Sequence, residues 1–216
     1  MEYRDHYILA KYIADSFEIS GKLNRMCFIW GNVTPDLNKF TYLHGYGYLL
    51  DRLAGMGYDL SLNQRRKLLI AGHTAEGARC YVNKFSRKLI RRRKWNLLDW
   101  YRFGKVVHYV TDRFTHPHTL GYREGFFKHV AYEEELHDRF VKLMEDMDRV
   151  PHNRKIMRNI VRMQLSDIEL DSMYRAYRAE EISQENDCAY IIAACIKYVE
   201  QILKRRRLNK LTRAVG

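Results

Sequence analysis

Apolar positions recur at three- and four-residue spacing through most of the chain, and only Pro35, Pro117 and Pro151 supply prolines to interrupt it. That is the period of one helix face rather than of a strand, so the pattern predicts an all-α fold. A first helix is expected over about Tyr7 to Phe17, with Ile8, Tyr12, Ile13 and Phe17 on one side. Cys27 to Trp30 then lead into GNVTPD, where Gly31, Asn32 and Pro35 are expected to break regular structure. An amphipathic segment from Asn63 to about Ile90 predicts one helix or two. The next begins near Asn96 and carries Trp100, Phe103, Val107 and Val110 towards Phe114. Pro117 ends that helix and leaves His118 in a loop. Helices near Phe126 to Met147, His152 to Gln164 and Glu181 to Arg207 complete the set.

With 216 residues and no low-complexity run, the chain reads as a single domain over residues 1–216. That length buries a sizeable core without disulfides or a structural metal, so any bound metal is expected to be functional. Cys27, Cys80, Cys188 and Cys195 show no CxxC spacing, and the N-terminus has no signal-peptide pattern. Free, mostly buried thiols and a cytoplasmic setting are expected. No apolar stretch approaches the roughly 18 residues that span a bilayer.

Net charge is +12, and the excess gathers in two runs. One holds Arg87, Lys88, Arg91, Arg92, Arg93 and Lys94; the other holds Lys204, Arg205, Arg206, Arg207, Lys210 and Arg213. Such runs are either solvated helix faces or surfaces for peripheral contact with an anionic membrane or nucleic acid.

The chemistry is concentrated between Lys105 and Glu134. His108 and Asp112 in HYVTD are four residues apart, His118 follows in HPH, and His129 and Glu133 in HVAYE are again four apart. On a helix each pair leaves the same face one turn apart and can close on one ion. His, Asp and Glu without Cys suit Zn²⁺ as well as Mn²⁺ or Fe²⁺, and the imidazole content favours Zn²⁺.

The order His6, Asp36 in GNVTPD, His44, the HxxxDxxxxxH of His108 to His118 and the HxxxE of His129 to Glu133 resembles the zinc-dependent phospholipase C family, which also embraces fungal single-strand nucleases. The resemblance covers His6 to about Phe140. It implies an all-helical fold holding two or three Zn²⁺ ions: one on Asp36, His44, His108 and Asp112, a second on His118, His129 and Glu133, and a third on His6, a bridging Asp112 and the amino group of Met1. It also implies a phosphoric ester substrate, a phospholipid headgroup or a nucleotide, attacked at phosphorus by a zinc-activated water. Asp36 is the residue expected to orient or deprotonate that water.

Other histidines read more plainly. His116 is either a partner to the ligands or an exposed loop residue, His73 and His137 read as core or surface histidines, and His152 has no evident partner. Phe40, Tyr42, Tyr46 and Tyr48 read as packing or as a cleft wall. Two enzymatic alternatives compete with the phospholipase reading: a nuclease with the same zinc cluster, and an HD-type phosphohydrolase built on the His137–Asp138 doublet. A noncatalytic basic helical protein that binds nucleic acid or an anionic membrane is the alternative from another class.

Overall fold

A computed structural model describes residues 1–37, 73–119, 122, 124, 126–149 and 170–215. Among these there are seven α-helices and no strands, in keeping with the all-α pattern. They are α1 (Tyr3–Ser16), α2 (Lys22–Leu37), α3 (Ala75–Arg91), α4 (Leu97–Asp112), α5 (Phe126–Arg149), α6 (Leu170–Ala179) and α7 (Gln184–Val215), with a 3₁₀ turn at His116–His118. The segments containing His44, the Phe40–Tyr48 aromatics and His152 lie outside the described residues, as does the helix expected from His152 to Gln164.

Local chemistry explains most boundaries. α1 starts four residues earlier than the hydrophobic pattern suggested, because Glu2 and Asp5 close a capping box over its first turn. Thr74 caps α3 by accepting from the Gly77 amide, so the Asn63–Ile90 pattern is interrupted immediately after His73. Asn96 and Asp99 make a second capping box that starts α4 where the pattern placed it. The sequence reading missed α6, and α7 continues well past Arg207 to Val215.

The largest correction concerns GNVTPD. It does not break regular structure; α2 runs straight through it, with Pro35 inside the helix. Proline brings no N–H to the carbonyl four residues back, a local loss. Packing against α4 outweighs it. A Cβ on Gly31 would lie 2.0 Å from the Tyr101 carbonyl oxygen, and one on Gly104 would lie 2.0 Å from the Phe28 carbonyl oxygen. The glycines therefore let two backbones touch, which sequence alone reads only as helix-breaking tendency.

Around this crossing Phe28, Phe103, Val106, Val107 and Val110 are fully buried. On the other side of α4, Leu136 and Phe140 of α5 and Ile191, Ile192, Cys195 and Val199 of α7 continue the same core. The thiols are free; Cys188 and Cys195 are buried, Cys27 is half-buried and Cys80 exposed. No helix of the described residues is long and apolar enough to cross a membrane.

Candidate metal centre

Five separate stretches deliver donors to one buried point. His6 comes from α1, Asp36 from the last turn of α2, His108 and Asp112 from the last turns of α4, His118 from the 3₁₀ turn, and His129 and Glu133 from the start of α5. His6, His108 and Asp112 are fully buried, His118 is nearly so, and Asp36, His129 and Glu133 are largely covered. Donor atoms of His6, Asp36, His108 and Asp112 all lie within 4.8 Å of one another, as do those of His118, His129 and Glu133.

Two further groups join them. His73, read from sequence as a core or surface histidine, is buried at the entry to α3 with Nδ1 2.7 Å from Asp112 Oδ2 and 3.1 Å from His108 Nε2. Its place immediately before the Thr74 cap was the available signal: that cap fixes the residue at the end of a helix pointing into the bundle. The amino group of Met1 is buried, 3.0 Å from Glu133 Oε1 and 3.7 Å from Asp112 Oδ1.

Hydrogen-bond bookkeeping argues for a cation here. His108 Nδ1 lies 2.9 Å from the Asn32 carbonyl oxygen, which can only accept, so the network assigns the ring proton to Nδ1. Burial, with help from His6, pushes the His108 pKa well below the usual imidazole value, so the ring is neutral. Its bare Nε2 therefore faces Asp112 Oδ2 at 3.2 Å and Asp36 Oδ1 at 3.5 Å, lone pair against lone pair.

His6 is placed in the same way with the opposite charge balance: burial lowers its pKa, but Asp112 and Asp36 outweigh it and the net shift is upward. Thr111 Oγ1 donates to the His108 carbonyl at 2.7 Å and accepts from His6 Nδ1 at 3.4 Å. His6 Nε2 is left facing Asp112 Oδ1 at 3.0 Å and Asp36 Oδ2 at 3.7 Å. Outer atoms that fix the tautomer while inner lone pairs converge on carboxylates are the pattern of imidazole metal ligands. Asp36 Oδ2 and His118 Nδ1 are buried with no hydrogen-bond partner among the described residues.

The spacing fits zinc. Tetrahedral coordination with bonds of about 2.0–2.2 Å separates donors by about 3.3–3.5 Å. His73 Nδ1, His108 Nε2, Asp36 Oδ1 and Asp112 Oδ2 show separations from 2.7 to 3.7 Å. His118 Nε2 and His129 Nε2 each stand 3.3 Å from a Glu133 oxygen. Asp112 turns Oδ2 towards the first set and Oδ1 towards His6 and Met1, so one carboxylate touches both.

Charge in the metal-free cluster is finely divided. Burial raises the Asp36 pKa to about 7 against the pull of His6. Burial would also raise Glu133, but the Met1 amine and the imidazoles of His118 and His129 hold it far below the carboxylate range. Burial and the Met1 amine depress His118, yet Asp112 and Glu133 outweigh them and its pKa lies at about 9. In the metal-free protein at pH 7 His118 is therefore protonated, and a metal must displace that proton. Zinc affinity is expected to rise by about tenfold per pH unit from this group alone and to level off above pH about 9. Zinc titrations in buffers of different ionisation enthalpy check it; a flat affinity between pH 7 and 9 refutes it.

Asp187, absent from any sequence motif, holds the far side of the centre. Its Oδ2 accepts from the His116 amide at 2.8 Å and from Tyr132 at 3.0 Å, and its Oδ1 accepts from Tyr177 at 2.7 Å. It thus ties the His116–His118 turn to α5, α6 and α7, and this amide contact is the polar role His116 plays. Asp187→Ala leaves three covered donors without an acceptor and is expected to cost about 3 kcal/mol or more in urea unfolding, with Asp187→Asn costing less. His137, by contrast, bonds Asp5 through Nδ1 at 2.5 Å.

The described helices thus enclose a buried His/Asp/Glu cluster whose donor atoms could hold metal ions. The chain matches the family model described as zinc dependent phospholipase C over residues 5–202, and it belongs to that family. The match extends well beyond the His6–Phe140 stretch that carried the resemblance. No curated protein and no solved structure matches the chain significantly.

Proposed function

We propose that the protein is a zinc-dependent hydrolase of phosphoric esters, acting on an amphiphilic, phospholipid-like phosphodiester. Family membership supports metal-dependent, phospholipase C-like function. The observation that carries the catalytic reading is the neutral imidazole of His108, whose bare Nε2 faces the carboxylates of Asp36 and Asp112 with His6 Nε2 turned to the same two groups.

Three donor sets are assigned. Asp36, His73, His108 and Asp112 form the first, with His73 in the place that the resemblance gives to His44. His118, His129 and Glu133 form the second. His6, the Met1 amine and Asp112 Oδ1 form the third, with Asp112 as the bridge. When bound, zinc supplies positive charge to the phosphoryl oxygens and acidifies water.

The protein's own groups do the rest. Asp36, at the edge of the cluster and partly open, orients the attacking water and takes its proton on a carboxylate oxygen. Asn32 and Thr111 hold His108 and His6 with Nε2 turned inward, where the neutral His108 offers its lone pair directly and His6 does so on giving up a proton. The Gly31–Gly104 contact keeps α2 and α4 close enough for that.

An apolar groove favours a lipid-like substrate over a nucleotide. It has a volume of about 760 Å³ and lies between α1, α2 and α5, lined by Tyr7, Met26, Ile29, Trp30, Leu37 and Val141. Tyr7 and Leu37 follow His6 and Asp36 in the chain, so the groove lies on the outer side of the same helices that carry two of the ligands inward. The nuclease reading loses its main support, because the internal basic run lies at the end of α3 remote from the cluster. The HD reading has less support than the phospholipase reading, because the family match favours the latter and His137 lies with Asp5 apart from the cluster. Free thiols suit the cytoplasm as the site of action.

Elemental analysis of the purified chain tests the assignment, with His129→Ala, His73→Ala and His44→Ala alongside. Two or three zinc ions per chain are expected, lowered in the first two variants and retained in the third. Hydrolysis of a water-soluble phosphodiester should follow zinc content. A chain that takes up no zinc on reconstitution refutes the hydrolase, and zinc loss in His44→Ala but not His73→Ala refutes the first donor set.

A further inference from the structure

The two basic runs, more than a hundred residues apart in sequence, meet in space. Arg206 on α7 donates to the Arg93 carbonyl at 3.1 Å and lies over the Trp95 ring at 4.7 Å, while Asn209 donates to the Ile90 carbonyl at 3.4 Å. The end of α7 is thereby strapped across the end of α3 and the turn that follows. Arg87, Lys88, Arg93 and Lys94 are exposed on one side of the seam, and Lys204, Arg205, Arg207 and Lys210 on the other. Neither residues 79–96 nor residues 201–216 contain an Asp or Glu. Two outlying arginines are neutralised from elsewhere, Arg79 by Asp171 and Arg92 by Asp99; among the described residues no carboxylate pairs with Arg87, Lys88, Arg93, Lys94, Lys204, Arg205, Arg207 or Lys210.

This pole also exposes aliphatic side chains. Leu208 and Leu211, three residues apart on one face of α7, are 55% and 64% exposed. Leu97 and Leu98, which open α4 just after Lys94, are 44% and 49% exposed. Aromatic surface is elsewhere: among the described residues the strongly exposed aromatics are Tyr3, Tyr7, Trp30 and Phe127, on α1, α2 and α5. Trp95, at the pole itself, is half-buried beneath Arg206 and against Trp100.

That combination selects among polyanions. Single-stranded nucleic acid is held by cations together with aromatic platforms for the bases, and this pole presents none. An anionic bilayer is held by clustered Lys and Arg at the headgroups and by apolar side chains that dip below them. We propose that the pole formed by the ends of α3 and α7 docks the protein peripherally on anionic phospholipid membranes.

The dock is separate from the metal centre. α3 leaves His73 at the cluster and reaches the pole 17 residues later, about 25 Å away. Docking and hydrolysis should accordingly be separable, and the inference stands whether or not the hydrolase reading does.

Co-sedimentation of the full chain with phosphatidylserine–phosphatidylcholine vesicles tests it, against phosphatidylcholine vesicles and a single-stranded oligonucleotide. Binding to the anionic vesicles and its release by salt are expected. Each cation near the surface contributes about fivefold, so the combined Arg87→Gln, Lys88→Gln, Lys204→Gln, Arg205→Gln variant should partition about 10²–10³-fold less. Leu208→Ser with Leu211→Ser should weaken vesicle binding and leave any oligonucleotide binding unchanged. Thermal melting and turnover of a soluble phosphodiester report that the variants remain folded, since none of these residues is in the metal centre. The proposal is overturned by a chain that stays in the supernatant at low salt, by vesicle binding that persists in the four-glutamine variant, or by leucine variants that bind vesicles as well as the parent does.

Discussion

Asp112→Ala is expected to empty the centre of metal and to abolish phosphodiester hydrolysis, the largest single effect available in this protein. The reason is geometric. Asp112 Oδ2 faces His73, His108 and His118, and Asp112 Oδ1 faces His6 and the Met1 amine, so among the described residues no other side chain touches as many donors. Loss of a group that merely orients a ligand costs about 10–100-fold in metal affinity or activity. Loss of the carboxylate shared between donor sets should exceed that range. The metal-free variant should be less stable as well, because the Met1 ammonium and the protonated His118 lose a buried counter-charge; about 3–5 kcal/mol is the usual consequence of breaking such a pairing. Elemental analysis, turnover and urea unfolding measure the three effects separately. An Asp112→Ala protein that keeps its full zinc content removes the bridging role.

Gly104→Ala should rank second, although the residue bears no functional group. Its new Cβ would stand 2.0 Å from the Phe28 carbonyl oxygen and 2.8 Å from the Asn32 amide, and backbone cannot step aside as a side chain can. α2 and α4 must separate. The 2.9 Å contact between the Asn32 carbonyl and His108 Nδ1 lies one turn from the collision, so the same movement releases the atom that sets the His108 tautomer. A loss of about 3 kcal/mol in stability is expected, at the upper end for overpacking, accompanied by weaker zinc retention. Gly31→Ala, 2.0 Å from the Tyr101 carbonyl oxygen, should behave alike. A substituted protein that melts with the parent and holds its zinc would show that the helices do not cross in backbone contact.

The same crossing marks the limit of what the chain discloses. Residue by residue, Gly31 and Asn32 each cost a helix up to about 1 kcal/mol and Pro35 about 3 kcal/mol, and a reading from propensity ends α2 there. Continuous burial against α4 outweighs those local terms, and nothing within GNVTPD announces the partner helix. His73 is the counterpart at the site. Its neighbours AGHTAEG offer only the Thr74 cap and Glu76 three residues on, too little to separate it from a core histidine, and only the approach of α4 makes it a neighbour of Asp112.

What the sequence by itself determined is what the helical period encodes: the all-α class and the four-residue pairing of His108 with Asp112 and of His129 with Glu133, whereas the expected Pro117 stop is corrected, since α4 already ends at Asp112 and His118 sits in a 3₁₀ turn rather than a loop. Those relations reach one or two turns, and the period dictates them whatever surrounds the helix. The tertiary structure decided everything that depends on which helices touch. It drew His6, His73 and His118 onto Asp112, buried the Met1 amine between Asp112 and Glu133, and added Asp187 behind the HPH turn. It also folded the end of α7 over the end of α3, so that two basic runs became one surface. These are packing outcomes, set by long-range burial and close backbone approach, and a one-dimensional pattern of polar and apolar residues specifies the faces that pack without specifying their partners.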